Sequence, residues 1–306
     1  MPASPARLRA LLQAEAMVTA PGAYDAITAR TIAQAGFPAV YMTGAGTAAS
    51  LGYPDFGLVT MSEMVANAAR IARAVDVPVI ADADTGYGNE LNVVRTVQEH
   101  ERAGTAGIHI EDQVSPKKCG HLDDKEIVPR DEFVAKIRAA VAARTDQDFL
   151  VIARTDARAI AGMDEAVVRA NLALQAGADM AFLEAPQTLQ EVAAVPRLVQ
   201  GPCLLNVVRG GKTPEVNLMD AQAMGYRIAI VPGLLLKSVL GACDAMLAEL
   251  KRTHVHPVPQ GDMTVRQAFN RFGAEEWDEV RTRFRDAAPA RAAAPARAAA
   301  PARAAE

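Results

Sequence analysis

Two aspartates that share one direction are the clearest chemical feature of the sequence. Asp82 and Asp84 stand two residues apart at the end of an apolar run and precede a glycine-containing turn. In an extended strand, residues i and i+2 point to the same side, so the two carboxylates meet near one point. Hard oxygen ligands of this kind suit Mg2+. We predict a magnesium site that Glu111 and Asp55 complete directly or through waters; the alternative for such a pair is a strand-ending turn with a helix cap.

A cysteine in a long loop is the second chemical feature. Residues 117–121 read Lys-Lys-Cys-Gly-His and lie in a segment that runs from 113 to 128. Two lysines and a histidine beside the Cys119 thiol predict a pKa lowered towards neutrality, where a thiol exchanges protons readily. Gly120 permits a tight backbone approach, and long loops in compact domains are often lids. The alternative is an exposed basic loop whose cysteine is incidental.

Other polar residues follow the later apolar runs. Arg154 and Asn206 supply donors for a carboxylate, and Glu184 can pair with a cation or orient a hydroxyl. Each residue taken alone has the simpler explanation of a structural ion pair or hydrogen bond at a strand end, so binding is favoured only if they converge. His109 precedes Glu111 by two residues and should point in the same direction. It either assists the metal site or is a histidine packed in the core.

Eight short apolar runs, each followed by a helical pattern, must position these residues. The expected strands are 17–20, 39–42, 77–81, 107–110, 149–153, 180–183, 203–207 and 228–231. Strands that alternate with helices imply a parallel sheet covered by helices, and eight units favour a closed (β/α)8 TIM-type barrel over a doubly wound sheet. Active sites of such barrels lie at the C-terminal ends of the strands, so the polar residues are expected to converge on one mouth.

The C-terminal part extends beyond the eight units. Residues 263–284 predict one or two amphipathic helices that need a surface to pack on, for which a neighbouring subunit is one candidate. Residues 286–306 repeat Pro-Ala-Arg-Ala-Ala-Ala and cannot bury an apolar face, so a disordered or frayed-helical tail is expected. We therefore predict one catalytic domain over residues 1–285 and a tail over 286–306.

Composition argues against several classes of partner and location. A net charge of −4 and 5% aromatic residues leave no basic stripe interleaved with stacking side chains, which argues against nucleic acid but allows small anionic metabolites. Cys119, Cys203 and Cys243 match no zinc or redox spacing, and their odd number does not suggest a disulfide framework. No apolar run approaches the ~20 residues that span a bilayer. We expect a cytoplasmic protein without a membrane partner.

The motifs together resemble the isocitrate lyase/phosphoenolpyruvate mutase superfamily over roughly residues 11–285. The matching segments are 81–88 (Ala-Asp-Ala-Asp-Thr-Gly-Tyr-Gly), 110–113 (Ile-Glu-Asp-Gln), 116–121 (Pro-Lys-Lys-Cys-Gly-His) and 153–157 (Ala-Arg-Thr-Asp-Ala). The cysteine loop resembles the lyase branch, which includes 2-methylisocitrate and 2,3-dimethylmalate lyases. The resemblance implies a (β/α)8 barrel with extra C-terminal helices, exchanged between the subunits of a homotetramer or homodimer.

The resemblance also implies a reaction and a set of site residues. The reaction is the Mg2+-dependent retro-aldol cleavage of a carbon-carbon bond in a small 2-hydroxy di- or tricarboxylate, with Mn2+ as an alternative metal. The implied metal site consists of Asp55, Asp82, Asp84 and Glu111. Cys119 is the implied acid/base, with Tyr41, Lys118 and His121 as further catalytic candidates. The implied substrate-binding residues are Thr43, Gly44, Ala45, Gly120, Arg154, Glu184, Asn206 and Arg266.

Two departures from the family bear on the substrate. Methylisocitrate lyases carry an arginine after the last strand, suited to a third carboxylate, whereas here three leucines at 234–236 precede Lys237, which favours a dicarboxylate. Arg209 stands where malate-type lyases usually carry glutamate, which leaves the exact substrate open. The alternatives are an oxaloacetate hydrolase or decarboxylase, a phosphonopyruvate-type (carboxyvinyl-carboxyphosphonate) mutase on the same barrel, and a non-catalytic barrel that binds a metabolite.

Overall fold

The computed structural model describes residues 4–286 of the chain. The chain divides into two compact units, with the boundary between Lys251 and Arg252. The tail predicted for residues 286–306 lies outside the described residues, apart from Asp286 at the end of the last helix. The prediction of a single catalytic domain over residues 1–285 stays a prediction.

Eight parallel strands form a closed barrel in the first unit, which confirms the predicted fold class. They are β1 (Val18–Ala23), β2 (Val40–Met42), β3 (Val79–Asp82), β4 (Gly107–Glu111), β5 (Leu150–Thr155), β6 (Met180–Leu183), β7 (Cys203–Asn206) and β8 (Ile228–Val231). Each strand pairs with the next along the chain, and β8 pairs with β1, where Val18 lies opposite Ile228.

Helices separate the strands and cover the barrel. They are α1 (Ser4–Gln13), α2 (Ala26–Gln34), α3 (Gly44–Ser50), α4 (Met61–Ala74), α5 (Glu90–Ala103), α6 (Arg130–Ala143), α7 (Arg158–Ala161), α8 (Met163–Gln175), α9 (Leu189–Leu198), α10 (Leu218–Met224), α11 (Leu234–Thr253), α12 (Val265–Asn270) and α13 (Ala274–Asp286). Local capping sets several of their starts. The Thr60 hydroxyl accepts from the Glu63 N–H, and the Glu63 carboxylate accepts from the Thr60 N–H, so α4 begins with a capping box.

Apolar side chains fill the inside of the barrel, which therefore is a packed core rather than a pore. Ile80, Ile152, Phe182 and Ile230 are fully buried in one cluster. Leu8 of α1 is buried in the same cluster, and the Arg9 guanidinium donates to backbone carbonyls at the start of β5. Helix α1 therefore closes the N-terminal end of the barrel and leaves the C-terminal end for the polar residues.

The second unit contains α12 and α13, which agree with the one or two helices expected over residues 263–284. Helix α12 begins with a capping box between Thr264 and Gln267, and Trp277 and Phe284 of α13 are exposed. Across residues 4–286, no helix is long and apolar enough to cross a membrane. The exchange of C-terminal helices between subunits stays a prediction.

Candidate active site

The polar residues at the C-terminal ends of the strands line one cavity of about 300 Å3. Most of the residues predicted to act or bind line it: Tyr41, Thr43, Ala45, Asp55, Asp82, Cys119, Gly120, His121, Arg154, Glu184 and Asn206. The strands from β2 to β7 deliver these side chains to one place because parallel strands of a barrel all end on the same face. The expected convergence is therefore present in the structure.

Asp82 ends β3 and is the most heavily hydrogen-bonded carboxylate of the cavity. Its Oδ1 accepts from the N–H of Asp84 at 3.0 Å, and its Oδ2 accepts from the N–H of Gly44 at 3.2 Å and from the Tyr41 hydroxyl at 3.3 Å. Burial opposes the charge of Asp82, but His109, nearby Lys and Arg side chains and the Asp84 N–H hold its pKa well below the usual range. Asp82 is therefore an ionised, preoriented oxygen donor.

Asp84 and Glu111 lie beside Asp82 in a more demanding environment. Asp84 has a φ of 46°, so its backbone turns away from the strand direction. Burial, together with Asp82 and Asp55, raises the pKa of Asp84 to about 6. Burial also raises the pKa of Glu111 well above its usual value, and its Oε1 finds no hydrogen-bond partner within the described residues. A nearby positive charge is needed to stabilise the ionised form of such buried carboxylates.

Lys117 supplies part of that positive charge. Its buried ammonium lies 2.8 Å from Asp84 Oδ1 and also pairs with the Asp55 carboxylate. Lys117 was predicted to lie beside the thiol. Its side chain points to the carboxylates instead, where the buried ammonium finds counter-charges. The carboxylates Asp84, Glu111 and Asp55 keep the pKa of Lys117 well above its usual value against the effect of burial.

The donor set fits a magnesium ion that keeps several waters. Among residues 4–286, no group of three or more His, Cys, Asp or Glu side chains is arranged to hold a metal ion. Mg2+ does not need such a cage, because it is usually bound through one or two carboxylates and retains waters. Asp82 and Asp84 would provide the two carboxylates, and the unpartnered Glu111 Oε1 is suited to a water. Asp55 and Asp84 are both paired with Lys117.

Cys119 is half-buried on the wall of the cavity. Its backbone N–H donates to the Asp55 carbonyl at 3.1 Å, which ties the loop to the segment after α3. Burial raises the pKa of the Cys119 thiol above its ordinary value. The prediction of a lowered pKa was therefore wrong, because Lys117 is turned away and the loss of water around the sulfur dominates. At neutral pH the thiol holds its proton.

Lys118 and His121 flank the cysteine differently. Lys118 is not among the residues that line the cavity; its backbone N–H and carbonyl are both bound by the Gln113 side chain. His121 Nδ1 accepts from the N–H of Lys212 at 3.0 Å, so the neutral ring carries its proton on Nε2, which lies 3.2 Å from Glu184 Oε1. Burial lowers the pKa of His121. His121 therefore joins the loop after β4 to the loop after β7.

Arg154 is the central cation of the cavity. Its guanidinium lies 3.1 Å from Glu111 Oε2 and 3.6 Å from Glu184 Oε2, donates to Asp156, and lies 5.1 Å from the centre of the Phe182 ring. Burial alone would lower its pKa, but the surrounding carboxylates raise it well above the usual value. Arg154 thus stays charged and is held in a fixed orientation, as a carboxylate-binding residue requires.

Tyr41 and His109 form a buried pair beneath Asp82. The Tyr41 hydroxyl and His109 Nε2 are 2.8 Å apart. Burial raises the pKa of Tyr41 well above its usual value and lowers that of His109 to about 4, so both are neutral at pH 7. The His109 ring stacks on Tyr41 and meets Phe182 edge-on. The geometry favours the packed core histidine over a metal ligand.

Three further features concern the substrate-binding predictions. Asn206 donates to Glu184 Oε2 at 3.0 Å and so orients that carboxylate. Lys237 donates to the carbonyl of Arg209 at 2.6 Å, while the Arg209 side chain is 89% exposed. Arg266 belongs to α12 of the second unit, and its role stays a prediction.

Two buried residues of this region had no predicted role, although Asp156 belongs to the matching segment 153–157. Lys125 and Asp156 form an ion pair of 2.9 Å next to the cysteine loop. The signal for Asp156 was present, because it follows Arg154 at the same i, i+2 spacing that drew attention to Asp82 and Asp84. Nothing in the loop sequence distinguishes Lys125 from a solvated lysine.

Comparisons with known proteins identify the family of the chain. A family model described as phosphoenolpyruvate phosphomutase matches residues 8–251. The chain is 53% identical over 228 residues to 2,3-dimethylmalate lyase of Eubacterium barkeri, across 74% of this chain and 79% of that protein. It is 46% identical over 243 residues to 2-methylisocitrate lyase of Aeropyrum pernix, across 79% of this chain and 78% of that protein. A solved complex of oxaloacetate acetylhydrolase with 3,3-difluorooxalacetate superposes with a TM-score of 0.89 at 39% identity, covering 92% of this chain and 97% of that chain.

These matches confirm the resemblance drawn from the aspartate pair and the cysteine loop. The two named lyases share about half of the aligned residues with this chain over most of its length, which supports a carbon-carbon lyase. The family model spans the whole barrel, including every strand that contributes to the cavity. The chain therefore belongs to the phosphoenolpyruvate phosphomutase family and is a carbon-carbon lyase.

Proposed function

We propose that the chain cleaves a 2-hydroxy dicarboxylate of the 2-alkylmalate type by Mg2+-dependent retro-aldol chemistry. The observation that carries the proposal is a protonated thiol, Cys119, on the same cavity as a fixed guanidinium, Arg154, and an ionised metal-type carboxylate, Asp82. A retro-aldol lyase needs these three functions: a proton donor for the carbanion, a carboxylate anchor, and a site for a charge-stabilising cation.

The apolar part of the cavity supports a dicarboxylate with an alkyl group. Val208, Pro232 and Leu236 line the cavity beside its polar residues. Lys237 also lines it, but its ammonium donates to the Arg209 carbonyl. A third substrate carboxylate would have to compete for that ammonium, whereas an alkyl group would pack against the apolar side chains. This favours 2,3-dimethylmalate over 2-methylisocitrate.

The residues of the chain supply binding, orientation and one proton. Arg154 holds a substrate carboxylate, and Asn206 keeps Glu184 in place beside it. A carboxylate of the cavity takes the 2-hydroxyl proton, so that the carbon-oxygen double bond forms while the carbon-carbon bond breaks. The bonding electrons remain on the carbon next to the carboxylate of the departing fragment. The Cys119 S–H then protonates that carbon. Mg2+, when bound by Asp82 and Asp84, supplies the Lewis-acid stabilisation of the developing oxyanion.

The raised pKa of Cys119 suits this role. A thiol that is mostly ionised at pH 7 would be a poor acid, because most enzyme molecules would have no proton on Sγ when the carbanion forms. Burial keeps the proton on Sγ until a carbanion of higher proton affinity is formed. The covering loop also keeps water away from the carbanion.

A substrate panel tests the proposal. 2,3-Dimethylmalate, 2-methylmalate, 2-methylisocitrate and oxaloacetate are incubated with Mg2+, with Mn2+ or with excess chelator, and pyruvate and oxalate are measured directly. We expect pyruvate from 2,3-dimethylmalate that is lost with chelator. Cys119→Ser should lower turnover by about 1,000-fold or more, as loss of a principal acid does, while Cys243→Ser, an exposed cysteine on α11, should not change it. Full activity of Cys119→Ser would reject the proposed acid.

The second candidate function is hydrolysis of oxaloacetate. The overall similarity to oxaloacetate acetylhydrolase, at a TM-score of 0.89, favours it. Hydrolysis would deliver oxalate from oxaloacetate, and 2,3-dimethylmalate would give no pyruvate. Phosphonopyruvate, added as a further substrate, tests the mutase alternative, and failure of every substrate to bind in the presence of Mg2+ would favour the non-catalytic barrel.

A further inference from the structure

One buried lysine ties the cysteine loop to the barrel. The Lys125 ammonium donates to the backbone carbonyl of Gly120, and it lies 2.9 Å from Asp156 Oδ1. The side chains of Lys125 and Asp156 are 1% and 0% exposed. A lysine is almost never fully buried unless its charge is paired, so this position requires the ion pair it makes.

Asp156 serves the loop and the substrate anchor at once. Its Oδ2 accepts from Arg154 Nε at 2.9 Å, and its Oδ1 accepts from Arg154 Nη2 at 3.2 Å as well as from Lys125. Its own backbone N–H donates to Asp112 Oδ1 at 2.8 Å, which fixes the aspartate at the end of β5. The carbonyl of Gly120 is thus connected to Arg154 through Lys125 and one carboxylate.

The other attachments of the loop hold it at different places. On the N-terminal side of Gly120, the Cys119 N–H donates to the Asp55 carbonyl, and the Gln113 side chain binds the Lys118 backbone. An isolated antiparallel bridge between Gln113 and Ile127 closes its two ends. The ion pair of Lys212 with Asp123 lies at the surface, where Asp123 is 84% exposed, and exposed pairs contribute little. Lys125, by contrast, has a buried ammonium that binds the backbone carbonyl of Gly120, the residue directly after Cys119.

We propose that Lys125 is a positioning residue. Through Asp156 it holds the Gly120 carbonyl, and with it the Cys119 thiol, at a fixed position relative to the substrate carboxylate bound by Arg154. The inference rests on the proposed role of Cys119 as the acid. Lys125 touches neither the substrate nor the reacting atoms. Its loss should leave the substrate anchor in place and release the loop that carries the thiol.

The test compares Lys125→Met, Lys125→Arg and Lys136→Met with the wild-type chain. Methionine keeps the approximate length of lysine without the charge, and Asp156 retains Arg154 as its partner in that variant. Lys136 is a buried lysine on α6, outside the loop, so its variant controls for the loss of any buried lysine. Two quantities are measured: kcat and KM on the substrate identified by the panel, and the rate at which iodoacetamide alkylates Cys119, read peptide by peptide with mass spectrometry.

We expect Lys125→Met to lower kcat by about ten- to a hundredfold, because one charged hydrogen bond that orders the transition state is lost. The KM should stay within about threefold of the wild-type KM. Alkylation of Cys119 should accelerate at least about fivefold, because a released loop exposes the thiol. Lys125→Arg should lie between the wild type and Lys125→Met. Lys136→Met should match the wild type in both quantities.

Unchanged kcat and unchanged alkylation in Lys125→Met would overturn the proposal, as would the same changes in Lys136→Met. If Lys125→Met does not fold, Lys125→Arg decides alone: faster alkylation supports the proposal and the wild-type rate overturns it. Alkylation needs no turnover. A wild-type chain that cleaves none of the substrates would therefore reject the proposed function, while the alkylation rates would still decide whether Lys125 holds the loop.

Discussion

Replacing Gly120 with alanine tests how tightly the cysteine loop must fit. A Cβ built on Gly120 would lie 2.5 Å from Arg154 Nη2 and 2.6 Å from Glu184 Cγ, whereas ordinary contacts are 3.4–4 Å. Neither Arg154 nor Glu184 can move away from the added Cβ at a low cost in free energy. Arg154 is held by Asp156 and Glu111, and Glu184 is held by Asn206. Alanine must therefore lift the loop or displace Arg154 by about 1 Å.

The size of the effect follows from that displacement. A misplacement of about 1 Å in a catalytic arrangement can cost about a hundredfold in rate, which corresponds to about 2.7 kcal/mol in the activation free energy. Overpacking of a well-filled region costs about 1–3 kcal/mol of folding stability, so the variant should melt at a lower temperature but remain folded at 25 °C. We expect kcat to fall about a hundredfold.

The assay compares Gly120→Ala with Gly241→Ala. Gly241 lies on α11, where an added Cβ meets nothing within 4 Å, so its replacement controls for the extra methyl group. Both variants are assayed for kcat and KM and melted under the same conditions. A Gly120→Ala kcat within about twofold of the wild type would refute the reasoning, since a shift of about 1 Å would then be without consequence for the reaction.

Three further predictions concern the metal, the thiol and a buried histidine. Asp84→Asn should weaken Mg2+ binding at least about tenfold in a calorimetric titration, because one of two ionised oxygen ligands is lost; an unchanged affinity would remove Asp84 from the metal site. Because burial raises the pKa of Cys119 and the acid must be protonated, activity should show no loss from thiol ionisation below about pH 8.5, the usual thiol value, and should fall only above it; an acidic thiol limb near pH 7 would contradict this. Burial lowers the pKa of His100 to about 4, and its ring nitrogens find no partner within the described part of the chain. The folded state then binds fewer protons than the unfolded state between pH 6.5 and 4, so stability is full above that window and is lost on acidification through it. His100→Leu should reduce the loss of unfolding free energy between pH 7.5 and pH 5 by about 2 kcal/mol in urea titrations, and an equal loss in both proteins would show that His100 is not responsible.

The fold could be predicted because its signal is local and repeated. Each apolar run between helical patterns became a strand, and 180–183 and 228–231 match the observed β6 and β8 at both ends. The other strands shift by one to three residues; β1 begins at Val18 and continues through Pro21 and Gly22 to Ala23. Helix α1 was not predicted, since its role comes from closing the barrel.

The location of the site was predictable for a topological reason. Once eight parallel strands close into a ring, the residues after each strand must meet, so Asp82, Arg154 and Asn206 could be grouped without any distance. The electrostatics could not be predicted in this way. The pKa of Cys119 depends on how much water the folded loop excludes, and the partner of Lys117 depends on a side-chain direction that spacing in the sequence does not specify.

The pairing of β8 with β1 has a consequence for synthesis and folding. The ring closes only when its first strand meets its last, which stand at opposite ends of the barrel sequence, and such non-local pairing is slow because a long loop must close before the contacts form. Arg154, Glu184 and Asn206 come from the later strands, whereas Asp82 comes from an early one. A nascent chain on the ribosome therefore completes its cavity only after β8 has been translated, and until then the unpaired edge of β1 is open to association with other chains.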